Sequence, residues 1–452
     1  MMKKVTIFAA IAMTMVGCSS DELVNNSTEN TEAPIAFSVE KKNISRGDQA
    51  TTLPSLESTG HYNFGVWAYK YKTDAADAAN QLVMENYLVG YSDGASKGYD
   101  NSKVKESTWA GSTSSLTDHK SPWFYEGLGS SEYSYTGTAS FYKTSESARA
   151  NQYLRYWDLA YNNTKFYAYT PYKASGVKFE EDKKKITVDD GILTAGYSAP
   201  VNEFLYAGAQ KENKYTEDVE LKFYHLGAQV KLRFYEDIPG YNVDIIDVTT
   251  SGTGIQATPA TYDESTKKYT KSSYYTVCGA EIDYTKSIDK PTATATYGTD
   301  ATSISGDNLV FAVPSGTIPE AGATSPQKYA MSSTTYYPVP QKAGSKTGFT
   351  FHVSYTLTAK DNGETITVHD ARVFVPASTT IGSTTTYIAA WQPNTIYYYT
   401  FKITKNTTGT TSDTTNPDIT TPDVPSDPAL YPIVFDGATI EDYENSYSEQ
   451  NY

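Results

Sequence analysis

The sequence predicts an all-β protein made of packed antiparallel β-sandwiches, and three observations predict it. Apolar residues alternate with polar ones over many short segments, which is the period of a strand with one buried face. The 452 residues include 40 Tyr, 30 Gly and 20 Pro, while charged residues make up only 20%. That composition favours short strands and turns over long soluble helices. A turn at Asp361-Asn362-Gly363 joins two long alternating runs, because Asn and Gly tolerate positive φ. Alternation gives each sheet a dry side and a wet side, which suits sandwich packing. The length allows two or three domains. With 37 Lys+Arg against 52 Asp+Glu, a net charge of −15, the chain is poorly suited to a nucleic-acid partner.

From the start of the chain, Lys3 and Lys4 precede an apolar run from Val5 to Val16, twelve residues long and too short to span a bilayer. Met15-Val16-Gly17-Cys18 follows and resembles a bacterial lipobox, in which cleavage before Cys18 frees the thiol to take a lipid. Ser19-Ser20-Asp21-Glu22 resembles the acidic tag of lipoproteins sent to the outer face of the outer membrane. Residues 19 to 32 read as a polar tether. In Pro34 to Glu40, the residues Ile35, Phe37 and Val39 fall on one face of an extended chain. Arg46-Gly47-Asp48 then lies in a polar, exposed stretch.

The body is rich in strands. Phe64 to Tyr69, Lys165 to Thr170 and Phe204 to Ala207 are β-prone. Asp74 to Leu82 reads as a short helix by its Ala content. Val219 to Phe223 alternates on odd positions and Val230 to Phe234 on even ones, so a bulge at Gly227 is expected to switch the phase. The clearest strand is Phe349 to Leu357. Phe349, Phe351, Val353, Tyr355 and Leu357 face one way, and Thr350, His352, Ser354 and Thr356 the other. Thr365 to Val375 returns alongside it, and Tyr397, Tyr399, Phe401 and Ile403 alternate again.

Residues 405 to 430 are rich in Thr, Pro and Asp and read as a linker. Asp413-Thr414-Thr415 resembles an O-glycosylation triplet. Beyond the linker, Pro432-Ile433-Val434-Phe435-Asp436 repeats the Pro, Ile and Phe of Pro34-Ile35-Ala36-Phe37-Ser38 in register, and an acidic tail follows. Two segments with the same apolar spacing can fill the same groove. If the first is cut away, the second can replace it from another molecule by adding a strand to an open sheet edge.

Catalytic and metal chemistry find little support. His61, His119, His225, His352 and His369 form no H-E-x-x-H pair. There is no G-x-S-x-G elbow, phosphate loop or calcium-loop spacing. Asp189-Asp190-Gly191 is expected to be a hairpin turn. Cys278 is expected to be a small buried hydrophobe. The Arg-Gly-Asp at 46–48 spells an integrin-binding tripeptide, but Arg46 is better used as a cut site. Trp67, Trp109 and Trp123 are candidates for stacking on sugars, if exposed. No cofactor and no metal is expected, and the chain is not expected to be an enzyme.

Several segments together resemble the fimbrillins, the type V pilin lipoproteins of anaerobic Gram-negative bacteria. They are Cys18; Pro34 to Val39 with Arg46; Met84 to Tyr87; Tyr156-Trp157 with Lys165 to Tyr172; Leu205 to Ala207; Leu221 to Phe234; Leu309 to Pro314; Trp391 to Asn394 with Tyr397 to Ile403; and Ile433 to Tyr443. The resemblance implies two transthyretin-like sandwich domains in tandem, at 47–212 and 213–404. Ahead of them stand a signal peptide (1–18) and a propeptide with a sacrificial strand (19–46; Ile35, Phe37, Val39). Behind them stand the linker (405–430) and a donor strand with its tail (431–452; Ile433, Phe435, Ala438, Ile440). It implies a precursor lipidated at Cys18, cut between Arg46 and Gly47, and assembled through the C-terminal segment. The implied partners are other fimbrial subunits, the outer membrane through the lipid before processing, and an adhesive ligand on a host or bacterial surface. The alternatives are a tip or accessory adhesin of the same fimbrium, or an unrelated surface lipoprotein that binds glycans.

Overall fold

The computed structural model describes residues 35–39, 63–72, 80–91, 123–125, 152, 155–174, 176–194, 204–213, 218–247, 254–263, 268–298, 303–305, 309–324, 328–332, 339–342, 347–381, 383–405 and 433–442. Every regular element among them is a strand, so the chain is all-β.

The first body begins with β1 (Phe37–Val39), β2 (Asn63–Tyr71), β3 (Gln81–Tyr91), β4 (Trp123–Phe124) and β5 (Asn163–Thr170). It continues through β6 (Lys178–Glu180), β7 (Lys185–Thr194), β8 (Leu205–Glu212), β9 (Val219–Leu221) and β10 (Tyr224–His225). All except β6 and β7 form one sheet in the order β10-β8-β5-β2-β3-β4-β1-β9. That sheet curls on itself. A flat sheet would hold β1 and β5, four places apart, at about 19 Å, yet the rings of Phe37 and Phe166 lie 5.6 Å apart. Inside the curl sit Ile35, Phe37, Val39, Phe64, Val66, Met84, Trp123, Phe166, Leu205 and Val219. Alternation sends Trp67, Tyr167, Tyr169 and Tyr206 to the other face, into a second core. Both faces of β2 and β5 are therefore buried.

The chain enters the second body at Leu226-Gly227. The strands that follow along the chain are β11 (Ala228–Asp237), β12 (Tyr241–Ile246), β13 (Ile255–Asp263), β14 (Lys268–Lys271), β15 (Ser273–Tyr275), β16 (Val277–Asp283), β17 (Thr292–Thr296) and β18 (Ser303–Ser305). Then come β19 (Leu309–Phe311), β20 (Ala330–Met331), β21 (Gly348–Ala359), β22 (Thr365–Val375), β23 (Ser378–Ile381), β24 (Thr384–Tyr387), β25 (Thr395–Thr404) and β26 (Ile433–Asp442). One sheet runs β20-β11-β25-β26; the facing one runs β12-β21-β13-β14 with β19 and β22 attached. Between them Val230, Leu232 and Phe234 of β11 meet Phe351, Val353 and Tyr355 of β21 and Tyr399 and Phe401 of β25. This is a sandwich, though not a purely antiparallel one: β11 runs parallel to β25 from Ala228↔Thr395 to Asp237↔Thr404.

Two strands of the later chain belong with the first body. β16 and β17 form a sheet with β7 and β6 in the order β17-β16-β7-β6. This sheet covers the outer face of the curled one, and Cys278, Ala280 and Ile282 join Ile186 and Val188 in that second core. The segment 213–404, read as one unit from sequence, is thus shared between the two bodies. Alternation reports that a strand has an apolar face but not which sheet it joins.

Other expectations need local correction. Thr350, His352 and Ser354, expected on a wet face, are 2%, 0% and 0% exposed. His352 and Ser354 stay buried there because they pair. His352 Nδ1 meets Asp370 Oδ1 at 2.5 Å, Arg372 Nε donates to Asp370 Oδ2 at 3.0 Å, and the Asp370 N–H donates to Ser354 Oγ at 3.0 Å. Asp189-Asp190-Gly191 is not a hairpin turn. It lies within β7, where Gly191 has φ 90° and the pairing with β16 slips by a bulge. Gly227 is not a bulge either but the passage from β10 to β11, which lie in different sheets. Gln81 and Leu82 open β3, and the rest of the expected helix, 74–79, falls outside the described residues. The Asp361-Asn362-Gly363 turn joins β21 to β22 as expected, with Gly363 at φ 75°.

Candidate functional site

β1 is short, but its surroundings hold it completely. It pairs antiparallel with β4 at Phe37↔Trp123 and parallel with β9 at Phe37↔Val219, Ser38↔Glu220 and Val39↔Leu221. It is therefore an interior strand of the curled sheet. Ile35, Phe37 and Val39 are 1%, 0% and 7% exposed. Phe37 stands edge-on to Phe64, Tyr125 and Phe166, with ring centroids 5.7, 5.8 and 5.6 Å away. Ala36, on the opposite side, reaches the second core.

The main chain ahead of β1 is held as firmly. The Ile35 N–H donates to the Arg155 carbonyl at 2.7 Å. The Tyr125 hydroxyl donates to the Ile35 carbonyl at 2.9 Å and accepts from the Arg155 N–H at 3.1 Å. Gln152 Nε2 donates to the Tyr125 carbonyl at 3.0 Å and to the Leu88 carbonyl at 2.7 Å. The Val219 N–H donates to the Ala36 carbonyl at 2.7 Å. Burial of apolar side chains and saturation of backbone groups together make this a complete strand site.

The C-terminal segment forms β26, and it docks in its own molecule. It pairs antiparallel with β25 from Ile403↔Ile433 to Thr395↔Asp442, at the free edge of the β20-β11-β25-β26 sheet. Alternation would carry Ile433, Phe435, Gly437 and Thr439 inward. Instead the register slips at Asp436, between Phe401↔Phe435 and Thr400↔Gly437, and Gly437 takes φ 124°. The bulge changes phase, so Ile433 and Phe435 and then Ala438 and Ile440 face the core. Only Ile433 is fully buried, at 1%; the other three are half-buried. The extra residue is fixed from outside, where the Tyr235 hydroxyl donates to Asp436 Oδ2 at 2.7 Å. Burial, together with that carboxylate, pushes the Tyr235 hydroxyl to a higher pKa than usual.

The residues expected to matter are therefore spread over two places. Ile35, Phe37 and Val39 line the curl of the first body, and Ile433, Phe435, Ala438 and Ile440 line the edge of the second. Cys18, Arg46, Gly47 and Trp109 fall outside the described residues. Trp67 and Trp123, expected as exposed sugar platforms, are 8% and 1% exposed. Trp67 stacks on Tyr169, and Trp123 packs on Phe64 and Tyr91. Sequence reasoning missed Tyr125, Gln152 and Arg155. They act through hydroxyl, amide and backbone groups in segments without alternation, so no periodic signal marks them.

A comparison of the chain with known proteins gives a family. The profile of the fimbrillin-like family matches residues 100–417, more than half of the chain. No curated protein matches it. Among solved structures, a fimbrial protein from Bacteroides vulgatus ATCC 8482 is 12% identical, with a TM-score of 0.44, over 92% of this chain and 100% of the other. A Parabacteroides distasonis ATCC 8503 protein is 9% identical, with a TM-score of 0.35, over 91% of this chain and 95% of the other. Both scores are below 0.5, so the assignment rests on the family match. With strands throughout, and with that match spanning parts of both bodies, the chain belongs to the fimbrillin-like family.

Proposed function

We propose that this chain is a structural subunit of a cell-surface fimbrium. It is exported as a lipoprotein through Cys18, cut between Arg46 and Gly47, and polymerised when β26 of one copy takes the place of β1 in the next. The observation that carries the reading is the position of β1. Cutting at Arg46 severs this strand from the rest of the chain, and its departure leaves a row of unpaired main-chain groups between β4 and β9, beside a dry cavity. An open edge of that kind recruits another strand.

Two features of β26 support its use as the replacement. Among the described residues it pairs on one side only, so its release breaks one ladder rather than two. It also follows residues 406–432, 27 residues whose extended reach is about 90 Å. That span lets β26 leave β25 and enter a neighbour without moving β25 itself. The sugar-binding alternative loses support because Trp67 and Trp123 serve as packing.

The test is limited proteolysis of the purified full-length chain by a trypsin-like, Arg-specific protease. A product starting at Gly47 that forms ladders on a gel is the expected result, and removal of residues 431–452 should stop the ladder. A cleaved product that stays monomeric, or a truncated one that still grows, would overturn the reading.

A further inference from the structure

We propose that the pocket filled by Phe37 sets the register of the incoming strand, and that it takes Phe435 of a second copy. This rests on the exchange reading above and adds which residue is read. Phe64, Tyr125 and Phe166 stand around the Phe37 ring, all steeply tilted to it. Edge-to-face walls of this kind select an aromatic ring, because ring edges and ring faces carry opposite partial charge. An aliphatic side chain would leave part of the pocket empty.

Tyr125 reads the main chain as well as the ring. Its hydroxyl holds the carbonyl of Ile35, two residues before Phe37, and Gln152 holds Tyr125 in place. The site therefore measures a ring and the carbonyl two positions upstream of it together. In Ile433–Asp442 the one aromatic residue is Phe435, and Ile433 stands two positions before it, as Ile35 does before Phe37.

The two berths of Phe435 are unequal. Against β25 its ring lies 6.2 Å from Tyr399 and 6.1 Å from Phe401, and it stays half-buried. In the place of Phe37 it would be walled on three sides and fully buried. A register one residue off would turn Val434 and Asp436 into the curl instead. The intervening position gives an independent check. Ala36 is 3% exposed and belongs to the second core, so Val434, which replaces it, is the poorest fit of the incoming strand.

The test uses the full chain cleaved at Arg46 and a fluorescent peptide of residues 431–442, with unlabelled peptides competing. The peptide carrying Phe435→Ala should compete about 100-fold less well or worse, while Ile440→Ala should lose only a few-fold. Val434→Ala should compete at least as well as the natural sequence. A cleaved chain with Tyr125→Phe, which keeps the ring and loses the hydroxyl, should hold the natural peptide about 5- to 10-fold less tightly. The register is overturned if Phe435→Ala competes as well as Ile440→Ala, or if Val434→Ala loses as much as Phe435→Ala. Failure of the natural peptide to bind at all would overturn the exchange reading itself, and the register with it.

Discussion

At the scale of residues, burial decides what each polar group does. Asp370 and Arg372 make an ion pair inside the second body, and the Asp370 carboxylate also meets His352 Nδ1, so the buried carboxylate is held from two sides. Glu236 is different. It is 1% exposed, and its carboxylate accepts the Ile238 N–H. Burial holds its carboxyl above the ordinary 4.5, and the nearby Glu320 adds to the effect. A carboxyl raised in the folded state favours folding while protonated. Its contribution is therefore present at low pH and is lost as pH rises above about 4.5 and through the folded value. Glu236→Gln keeps an oxygen for Ile238 and removes the charge. The variant should melt higher than the natural chain at pH 7 and show a flatter dependence of melting temperature on pH; equal curves for the two would refute this role. The sequence revealed Ile35, Phe37 and Val39 by their spacing alone. It hid Glu236 and His352, because alternation assigns a face to a residue and does not say whether that face is covered.

At the scale of elements, the bulge in β26 was not foreseen from the sequence. Ile433 and Phe435 stood out by their match to Ile35 and Phe37, Ala438 and Ile440 came only with the resemblance, and it is the register slip at Asp436 that turns both pairs toward the core. The bulge expected at Gly227 and the hairpin turn expected at Asp189-Asp190-Gly191 both failed. A phase break beside a glycine marks a bulge, a turn or a change of sheet alike, and only tertiary pairing separates these. At Gly437 the requirement is backbone conformation, since φ is 124° and nothing crowds the position where a Cβ would stand. Gly437→Val should cost β26 about 1–3 kcal/mol in its docked place. Hydrogen exchange of the amides in residues 433–442 should accelerate by about 10-fold or more, with those of β2 and β5 unchanged. Unchanged exchange in β26 would show that the bulge tolerates a side chain and does not govern docking.

At the scale of the whole molecule, the two bodies are tied by more than their junction. β16 leaves the second body, pairs with β7, and puts Cys278, Ala280 and Ile282 into the first body's core. At the junction the Asn394 side chain accepts the His225 N–H at 3.0 Å, and the Asn394 N–H donates to Gly227 at 3.1 Å. Neither body can lose its fold without disturbing strands of the other. Heat unfolding should then be a single transition in which Trp391 of the second body's core and Trp67, Trp123 and Trp157 of the first body report the same midpoint. Single-Trp variants check this, and two midpoints separated by more than a few degrees would show the bodies to be independent. This tie was not legible in the sequence, because residues 277–296 alternate like any other strands and nothing local names their partners.

The berth of β26 has a consequence for any fibre built from these molecules. Once that strand is lent to a neighbour, Thr395–Thr404 loses its outermost companion, and each link in the chain carries one bare margin along its flank. Such a margin invites side-by-side bundling of filaments, unless a loan from elsewhere clothes it.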